Sequence, residues 1–104
     1  MYRIKQSDLF VKWLIHLKDI KGKVAILRRI ERARHGNFGD HKTVGGGVSE
    51  LRITVGPAYR VYYTVKGDEI ILLLIGGDKS SQHKDIQQAR ILLKEIEDEE
   101  PDNI

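Results

Sequence analysis

Apolar and polar residues alternate along two neighbouring segments of the chain, residues 50–55 and residues 59–65. A period of two is the spacing of side chains on one face of a β-strand. Gly56 and Pro57 lie between the two segments and favour a turn. The chain is therefore predicted to contain a β-hairpin. Its apolar face is expected to carry Leu51, Ile53 and Val55 from the first strand, and Tyr59, Val61, Tyr63 and Val65 from the second.

One pairing register of this hairpin keeps the apolar sets together. A three-residue loop, Gly56–Ala58, sets Arg52 opposite Tyr62 and places Arg60 diagonally across from Arg52. A slip of one residue would move the apolar set to the other face. Arg52 and Arg60 are then expected on the solvent-exposed face, at a diagonal spacing of roughly 7 to 8 Å that long side chains can bridge.

Three other segments have the helical spacing of apolar residues. They follow Ser7, Asp19 and either Ser80 or Ser81, and serine and aspartate are favoured residues at helix N-caps. The predicted buried stripes are Phe10, Trp13, Leu14 and Leu17 in the first helix, Ile26, Leu27, Ile30 and Ala33 in the second, and Ile86, Ala89, Leu93 and Ile96 in the third.

The remaining segments complete the predicted fold. Residues 2–5 alternate in polarity and predict a short strand, whereas residues 69–75 are apolar on both sides and predict a central strand. Residues 36–47 contain five glycines and predict a loop. The order is β-α-α-β-β-β-α, an α+β domain with helices packed on one face of a mainly antiparallel sheet.

Length and composition exclude several classes of protein. A chain of 104 residues is sized for one domain. It has no cysteine, so disulfides and thiolate zinc sites are excluded, and no spacing diagnostic of a metal site occurs. The longest apolar run, residues 70–75, is far shorter than the ~20 residues of a membrane span. The first residues lack the apolar core of a secretion signal, so a soluble, cytoplasmic protein is expected.

Charge is distributed unevenly along the chain. Residues 1–66 carry 14 Lys/Arg against 5 Asp/Glu, a net +9, whereas residues 67–104 carry 4 against 10, a net −6. A cationic body attracts polyanions, because neutralising phosphates releases condensed counterions. The alternative is an ordinary solvated surface followed by an acidic tail.

Four ordered segments carry a resemblance to a known family. They are RHGNFGDHK (34–42), GVSELRI (47–53), GPAYRVYY (56–63) and LIGGDKSSQ (74–82). With them the chain resembles the RelE/ParE toxin superfamily, and within it the HigB-like addiction-module killer proteins. The resemblance implies a single RelE-like toxin domain over residues 1–96, followed by a frayed acidic tail over residues 97–104. It also implies a cognate helix-turn-helix antitoxin as partner.

The superfamily is associated with two activities. RelE and HigB members cleave mRNA in the ribosomal A site by driving a 2′-hydroxyl onto the neighbouring phosphate, whereas ParE members share the fold and poison gyrase. The resemblance thus implies a metal-independent endoribonuclease that needs no cofactor and has mRNA and the ribosome as partners. A gyrase-inhibiting toxin and an inactive homologue that binds an antitoxin remain alternatives.

The resemblance also selects candidate catalytic residues. Arg52 and Arg60 match basic positions on two adjacent strands of RelE-type toxins, and guanidinium binds phosphate in a bidentate way. Lys79 matches a basic position after the next strand, where a lysine can act as acid or electrostatic stabiliser. The alternatives are solvated arginines that pair with Glu50, and a loop lysine that pairs with Asp78.

The general base is the least defined role. RelE-type toxins often place a tyrosine in the final helix, whereas this chain has Asp85 at that spacing. His83 and His41 have a suitable intrinsic pKa near neutrality. His83 and His41 are therefore both candidate bases. His83 is placed among the predicted catalytic residues, with an ordinary surface residue as the alternative.

Four residues are predicted to bind substrate. Tyr62 is expected to stack on a base or hydrogen-bond a phosphate, with packing within the sheet as the alternative. Lys42 and His41 lie in the glycine-rich loop and are expected to hold RNA or the ribosome, unless that loop is a plain connection. Gln82 closes the fourth segment of the resemblance and completes the set.

Overall fold

In the computed structural model, which describes residues 1–99, the chain forms one five-stranded sheet and three α-helices. The strands are β1 (Arg3–Gln6), β2 (His41–Gly45), β3 (Val48–Ile53), β4 (Tyr59–Lys66) and β5 (Ile70–Asp78). The helices are α1 (Asp8–His16), α2 (Ile20–Arg34) and α3 (Gln82–Glu99), and a 3-10 turn spans Lys79–Ser81. The strand order is β1-β5-β4-β3-β2, with only the β1–β5 pair parallel among these strands. The predicted α+β class and the mainly antiparallel sheet are confirmed.

The helices differ from the prediction in their placement, because they cover both faces of the sheet. A Cβ on Gly76 would lie 2.1 Å from the Trp13 ring of α1, and a Cβ on Gly77 would lie 2.0 Å from the Asp85 carboxylate of α3. Consecutive strand residues point to opposite faces. Helices α1 and α3 therefore lie on opposite sides of β5, and the glycines allow their close approach.

Each face has its own apolar core, which is the physical reason for this arrangement. The strands carry apolar side chains on both faces, and each set needs a helical cover. The first core joins α1 and α2 to the sheet, with Phe10, Ile26, Ile30, Ala33, Leu51, Ile53, Tyr59, Val61, Tyr63, Ile71 and Leu73. The second lies under α3, with Val48, Tyr62, Leu74, Ile75, Ala89 and Leu93.

The hairpin is confirmed, but its predicted register is wrong by two residues. Arg52 lies directly opposite Arg60, and Ile53 opposite Tyr59, so the loop is residues 54–58. The backbone N–H of Val55 bonds to the carbonyl of Ile53 at 3.0 Å and turns the chain as soon as β3 ends. A shift of two keeps every side chain on its predicted face but changes its neighbours.

The glycine-rich segment is not entirely a loop, since His41–Gly45 forms the edge strand β2, antiparallel to β3. Its side chains are mostly exposed, so no apolar alternation marked it as a strand. Arg29 of α2 stabilises the entry into this strand. Its guanidinium donates to the carbonyl oxygens of Phe38 at 2.9 Å, Asp40 at 3.0 Å and Arg52 at 2.5 Å.

Two of the three predicted helix caps are confirmed. Ser7 accepts a hydrogen bond from the Phe10 N–H, and Asp19 accepts one from the Gly22 N–H, both at 3.0 Å. For α3 the serine cap stays a prediction: the Ser81 hydroxyl, next to the start of this helix, donates to the Asp85 carboxylate at 2.6 Å, and Asp78 caps the preceding 3-10 turn by accepting from the Ser80 N–H at 2.9 Å.

The end of the chain lies partly outside the described residues. Helix α3 continues to Glu99 and so includes residues 97–99 of the predicted tail. Residues 100–104 of that tail lie beyond the described part of the chain. Within the described part, no helix combines the length and apolar character needed to cross a membrane.

Candidate functional site

Arg52 and Arg60 form a pair at the centre of the candidate site. They are direct cross-strand neighbours on β3 and β4, on the face that α3 covers. The Arg52 side chain is 34% exposed, whereas that of Arg60 is only 11% exposed. The two arginines therefore lie directly opposite each other and not on the predicted diagonal.

Glu50 lies between these arginines and is 1% exposed. Its Oε2 atom lies 3.7 Å from NH1 of Arg60 and 3.8 Å from Nε of Arg52. Its Oε1 atom accepts a hydrogen bond from Nε2 of Gln82, the first residue of α3, at 3.2 Å. One carboxylate thus links β3, β4 and α3. The structure shows the alternative interpretation of the sequence, in which the arginines pair with Glu50.

Arg52 has a second carboxylate partner. Its NH2 and Nε atoms lie 3.1 and 3.2 Å from Oδ1 of Asp40, which is 54% exposed. An ion pair between such exposed groups contributes little to stability, typically about 0 to 1 kcal/mol. This guanidinium can therefore exchange Asp40 for another anion at small cost.

Two buried polar atoms of the site have no hydrogen-bond partner among residues 1–99: Nε of Arg60 and the hydroxyl of Tyr62. Tyr62 is 0% exposed and lies opposite Glu50 on β4. Burial, together with the charges of Glu50 and Asp85, raises the pKa of the Tyr62 phenol well above its usual value. The expectation that Tyr62 stacks on a base is wrong for this structure, because α3 covers the ring.

Asp85 occupies the helical position at which the resemblance implies a tyrosine. It is 8% exposed and accepts a hydrogen bond from the Ser81 hydroxyl at 2.6 Å. Its carboxylate lies directly above Gly77, which is the β5 neighbour of Arg60. Asp85 therefore fixes the start of α3 against the sheet beside the arginine pair.

The other predicted residues are distributed around this centre. Lys42 lies opposite Glu50 in the β2–β3 register, so it shares the face of the arginine pair, and it is exposed. Lys79 and His83 are exposed on the turn and helix start that contain Gln82. Within residues 1–99, neither forms a hydrogen bond or ion pair with Arg52 or Arg60, and His83 lies 3.5 Å from the Gln87 amide.

His41 is not part of this site. It pairs with Leu51 in the register, so it points to the face of α1 and α2. There its ring lies 5.8 Å from the Phe38 ring, and its Nδ1 lies 2.8 Å from the carbonyl oxygen of Gly39.

Sequence reasoning did not select Glu50, Asp40 or Asp85 as site residues. Glu50 was considered only as a counter-ion, although its place on the polar face next to Arg52 was a usable signal. Asp40 carried no local signal, since its position depends on β2. Asp85 was noted only as the residue at the spacing of the expected tyrosine. In the part of the chain that the structure describes, no three His, Asp or Glu residues are grouped so that they could hold a metal ion.

The five-stranded mixed sheet with three packed helices is compatible with the RelE-like fold. On the α3 face of this sheet the arginine pair lies next to one buried carboxylate, Glu50, and one exposed carboxylate, Asp40.

The chain belongs to the family "Phage derived protein Gp49-like (DUF891)", whose model matches residues 12–97. This family belongs to the RelE/toxin-like addiction-module killer group of toxin–antitoxin toxins, which suggests an antitoxin as partner. The chain is also similar to a protein of Haemophilus influenzae (strain ATCC 51907 / DSM 11121 / KW20 / Rd) described as uncharacterized. The two are 47% identical over 94 residues, which cover 90% of this chain and 95% of the relative.

Proposed function

We propose that this chain is the toxin of a type II toxin–antitoxin system and cleaves mRNA on the ribosome, as HigB-like toxins do. The proposed cognate partner is a helix-turn-helix antitoxin, and the proposed place of action is the cytoplasm. The family supports the toxin role, and the arginine pair supports the chemistry.

The state of the Arg60 guanidinium is the observation that carries the proposal. The Arg60 side chain is nearly nine-tenths buried, its Nε has no partner among residues 1–99, and NH1 lies 3.7 Å from Oε2 of Glu50. That distance exceeds a normal hydrogen bond. The charge of Arg60 is thus compensated by Glu50 without a hydrogen bond between them. Since Nε is removed from solvent, NH1 and NH2 would be the atoms that bind phosphate oxygens.

The proposed reaction is a transesterification. The 2′-oxygen attacks the adjacent phosphorus while the bond to the 5′-oxygen breaks, which leaves a 2′,3′-cyclic phosphate and a 5′-hydroxyl. A base takes the proton of the 2′-hydroxyl, and an acid gives one to the leaving oxygen. His83 is the proposed base and Lys79 the proposed acid, both on the exposed turn at the start of α3.

Arg60 and Arg52 would hold the phosphate and stabilise the charge that grows on its oxygens. Glu50 is a positioning residue, because it keeps both guanidinium groups next to each other without reaching solvent. Lys42 and Gln82 flank the pair and would contact the RNA backbone on either side.

The same ion pairs favour a second candidate. Glu50 and Asp40 together neutralise the two guanidinium charges, so the centre of the site is less cationic than the sequence predicts. Asp85 also stands in place of the expected tyrosine. A toxin that binds gyrase without RNA chemistry, or an inactive homologue that binds an antitoxin, would need no free cations here.

The test is tightly controlled expression of the wild-type chain, Arg60→Ala, Arg60→Lys and Arg3→Ala, with growth and new mRNA 5′ ends mapped by primer extension. Arg3→Ala is the matched control, since it removes the same charge from an exposed position on β1. Arg60→Ala removes a preorganised cation, so the rate of mRNA cleavage is expected to fall on the order of 100-fold or more. Losses of this size are typical when a group that stabilises a charged intermediate is removed.

Arg60→Lys is expected to recover only part of the cleavage, because lysine lacks the bidentate fork. Cleavage by Arg60→Ala at the wild-type rate would refute the site. Growth arrest with intact mRNA and a DNA-damage response would establish the gyrase alternative, and an absence of toxicity would establish the inactive one.

A further inference from the structure

Helix α2 carries an apolar stripe that points away from the core. Ile20, Val24 and Leu27 are 77%, 42% and 47% exposed. At about 100° per residue they fall within an arc of about 60° on the helix surface. The buried face of α2, with Ile26 and Ile30, lies elsewhere on the helix. The sequence had placed Leu27 in the core, so this outer stripe is a feature that only the structure shows.

A row of cations lies beside this stripe. Lys21, Arg28 and Arg32 are exposed and fall within about 40° of one another around the helix. No carboxylate of the described residues forms an ion pair with Arg28 or Arg32 within 4.0 Å. Arg28 and Arg32 thus present positive charge that no carboxylate among residues 1–99 pairs with.

A groove continues the surface on the other side of the cations. It has a volume of about 310 Å³ and lies between α2 and the end of the hairpin, where Ala25, Ile53 and Val55 provide an apolar floor. Arg28, Arg29 and Arg32 form its rim. Burial, and next the charge of Arg32, lowers the pKa of Arg29.

We propose that this face of α2 docks an acidic amphipathic helix of a partner protein, and that this partner is the antitoxin. The identity of the partner rests on the proposed toxin function. Apolar residues of the incoming helix would cover Ile20, Val24 and Leu27 or enter the groove. Its carboxylates would pair with the cationic row of Lys21, Arg28 and Arg32. Such complementary charges fix the orientation of a partner at an interface.

The observations favour protein over RNA as the occupant. A phosphodiester backbone would satisfy the cations but leave the three apolar side chains in water. The α2 helix has 15 residues and is about 22 Å long, which suits one side of an interface of standard size. The surface lies on the face of the sheet opposite the Arg52–Arg60 pair. Leu27, Arg28 and Arg32 form no ion pair with the residues of that pair among residues 1–99, so these three can be altered without changing the candidate site.

The test uses the full chain and the purified protein encoded next to its gene, with binding measured by calorimetry. The variants are Arg28→Glu/Arg32→Glu, Leu27→Asp and the control Arg3→Glu. The double charge reversal is expected to weaken binding on the order of 100-fold, and Leu27→Asp on the order of 10-fold. Arg3→Glu is expected to bind like the wild type, and thermal unfolding checks that each variant is folded.

In cells, the double variant is expected to remain toxic and to escape neutralisation by the partner. Wild-type binding by this variant, or no binding by the wild-type chain, would overturn the proposal. Loss of toxicity with unchanged partner binding would mean that the surface contacts the target, RNA included, and would overturn it too. Calorimetry measures partner binding and does not depend on toxicity. Failure of the proposed ribonuclease function would therefore be distinguished from failure of the docking proposal.

Discussion

NH1 of Arg60 lies 3.7 Å from Oε2 of Glu50, and both side chains are largely removed from solvent. A buried charge that loses its partner is strongly destabilising, because neither water nor another group compensates it. The pair therefore makes the stability of the fold depend on the residues proposed to bind phosphate.

Glu50→Gln is expected to lower the free energy of unfolding by about 3 kcal/mol, since it leaves the Arg60 charge buried without a counter-charge. The measurement is urea unfolding of Glu50→Gln, Arg60→Met and the double variant. The double variant is expected to lose less stability than the sum of the single losses. Strict additivity would show that the two groups do not interact.

Gly77→Ala is expected to displace the start of α3. The new Cβ would lie 2.0 Å from the Asp85 carboxylate and 3.1 Å from the Ser81 hydroxyl, so the helix must move. We expect a loss of about 1 to 3 kcal/mol, typical of overpacking, and a lower rate of mRNA cleavage. Thermal unfolding and primer extension measure the two effects. Adding Asp85→Ala removes the clash and should restore part of the stability, and no restoration would point to another cause.

Arg29→Lys is expected to destabilise the entry into β2. The guanidinium of Arg29 donates to three backbone carbonyls, whereas an ammonium group cannot reach all three in the same geometry. Loss of charged hydrogen bonds costs about 1.5 to 3 kcal/mol each, and partial replacement by lysine reduces this. Hydrogen exchange should speed up in residues 38–42. The neighbouring exposed Arg28→Lys is the control, and equal effects of the two changes would refute this role.

The stability of the helix α2 terminus is expected to fall in acid. Hydrogen bonds from Arg34, and next from His35, lower the pKa of Glu31 to about 2 from its usual 4.5. A carboxyl whose pKa is lowered in the folded state stabilises the protein above pH 4.5, and this contribution is lost as the pH falls towards 2.

Chemical unfolding at several pH values tests this prediction. The difference in stability between the wild type and Glu31→Gln should shrink across that interval. Glu69→Gln is the control, because it removes an exposed carboxylate that forms no ion pair within 4.0 Å among residues 1–99. A difference that stays constant with pH would contradict the lowered pKa of Glu31.

Local patterns determined most of the elements of this protein. The period of two in residues 50–65 predicted the hairpin, and the caps Ser7 and Asp19 predicted the starts of α1 and α2, because both signals depend on neighbours in the chain. The resemblance also selected Arg52 and Arg60, which the structure places side by side.

Tertiary structure decided the properties of the site. Strand β2 has no apolar alternation and exists through pairing with β3 and the bonds of Arg29, so the position of Asp40 was not predictable. The hairpin register depends on where the loop begins. The alternation of apolar and polar residues fixes only the face on which each side chain lies, so it allows pairing registers that differ by two residues. Whether Tyr62 is exposed depends on which face of the sheet α3 packs against. The apolar periodicity of α3 does not specify that face. Contacts between distant segments therefore determined which charges are paired, buried or open to a ligand.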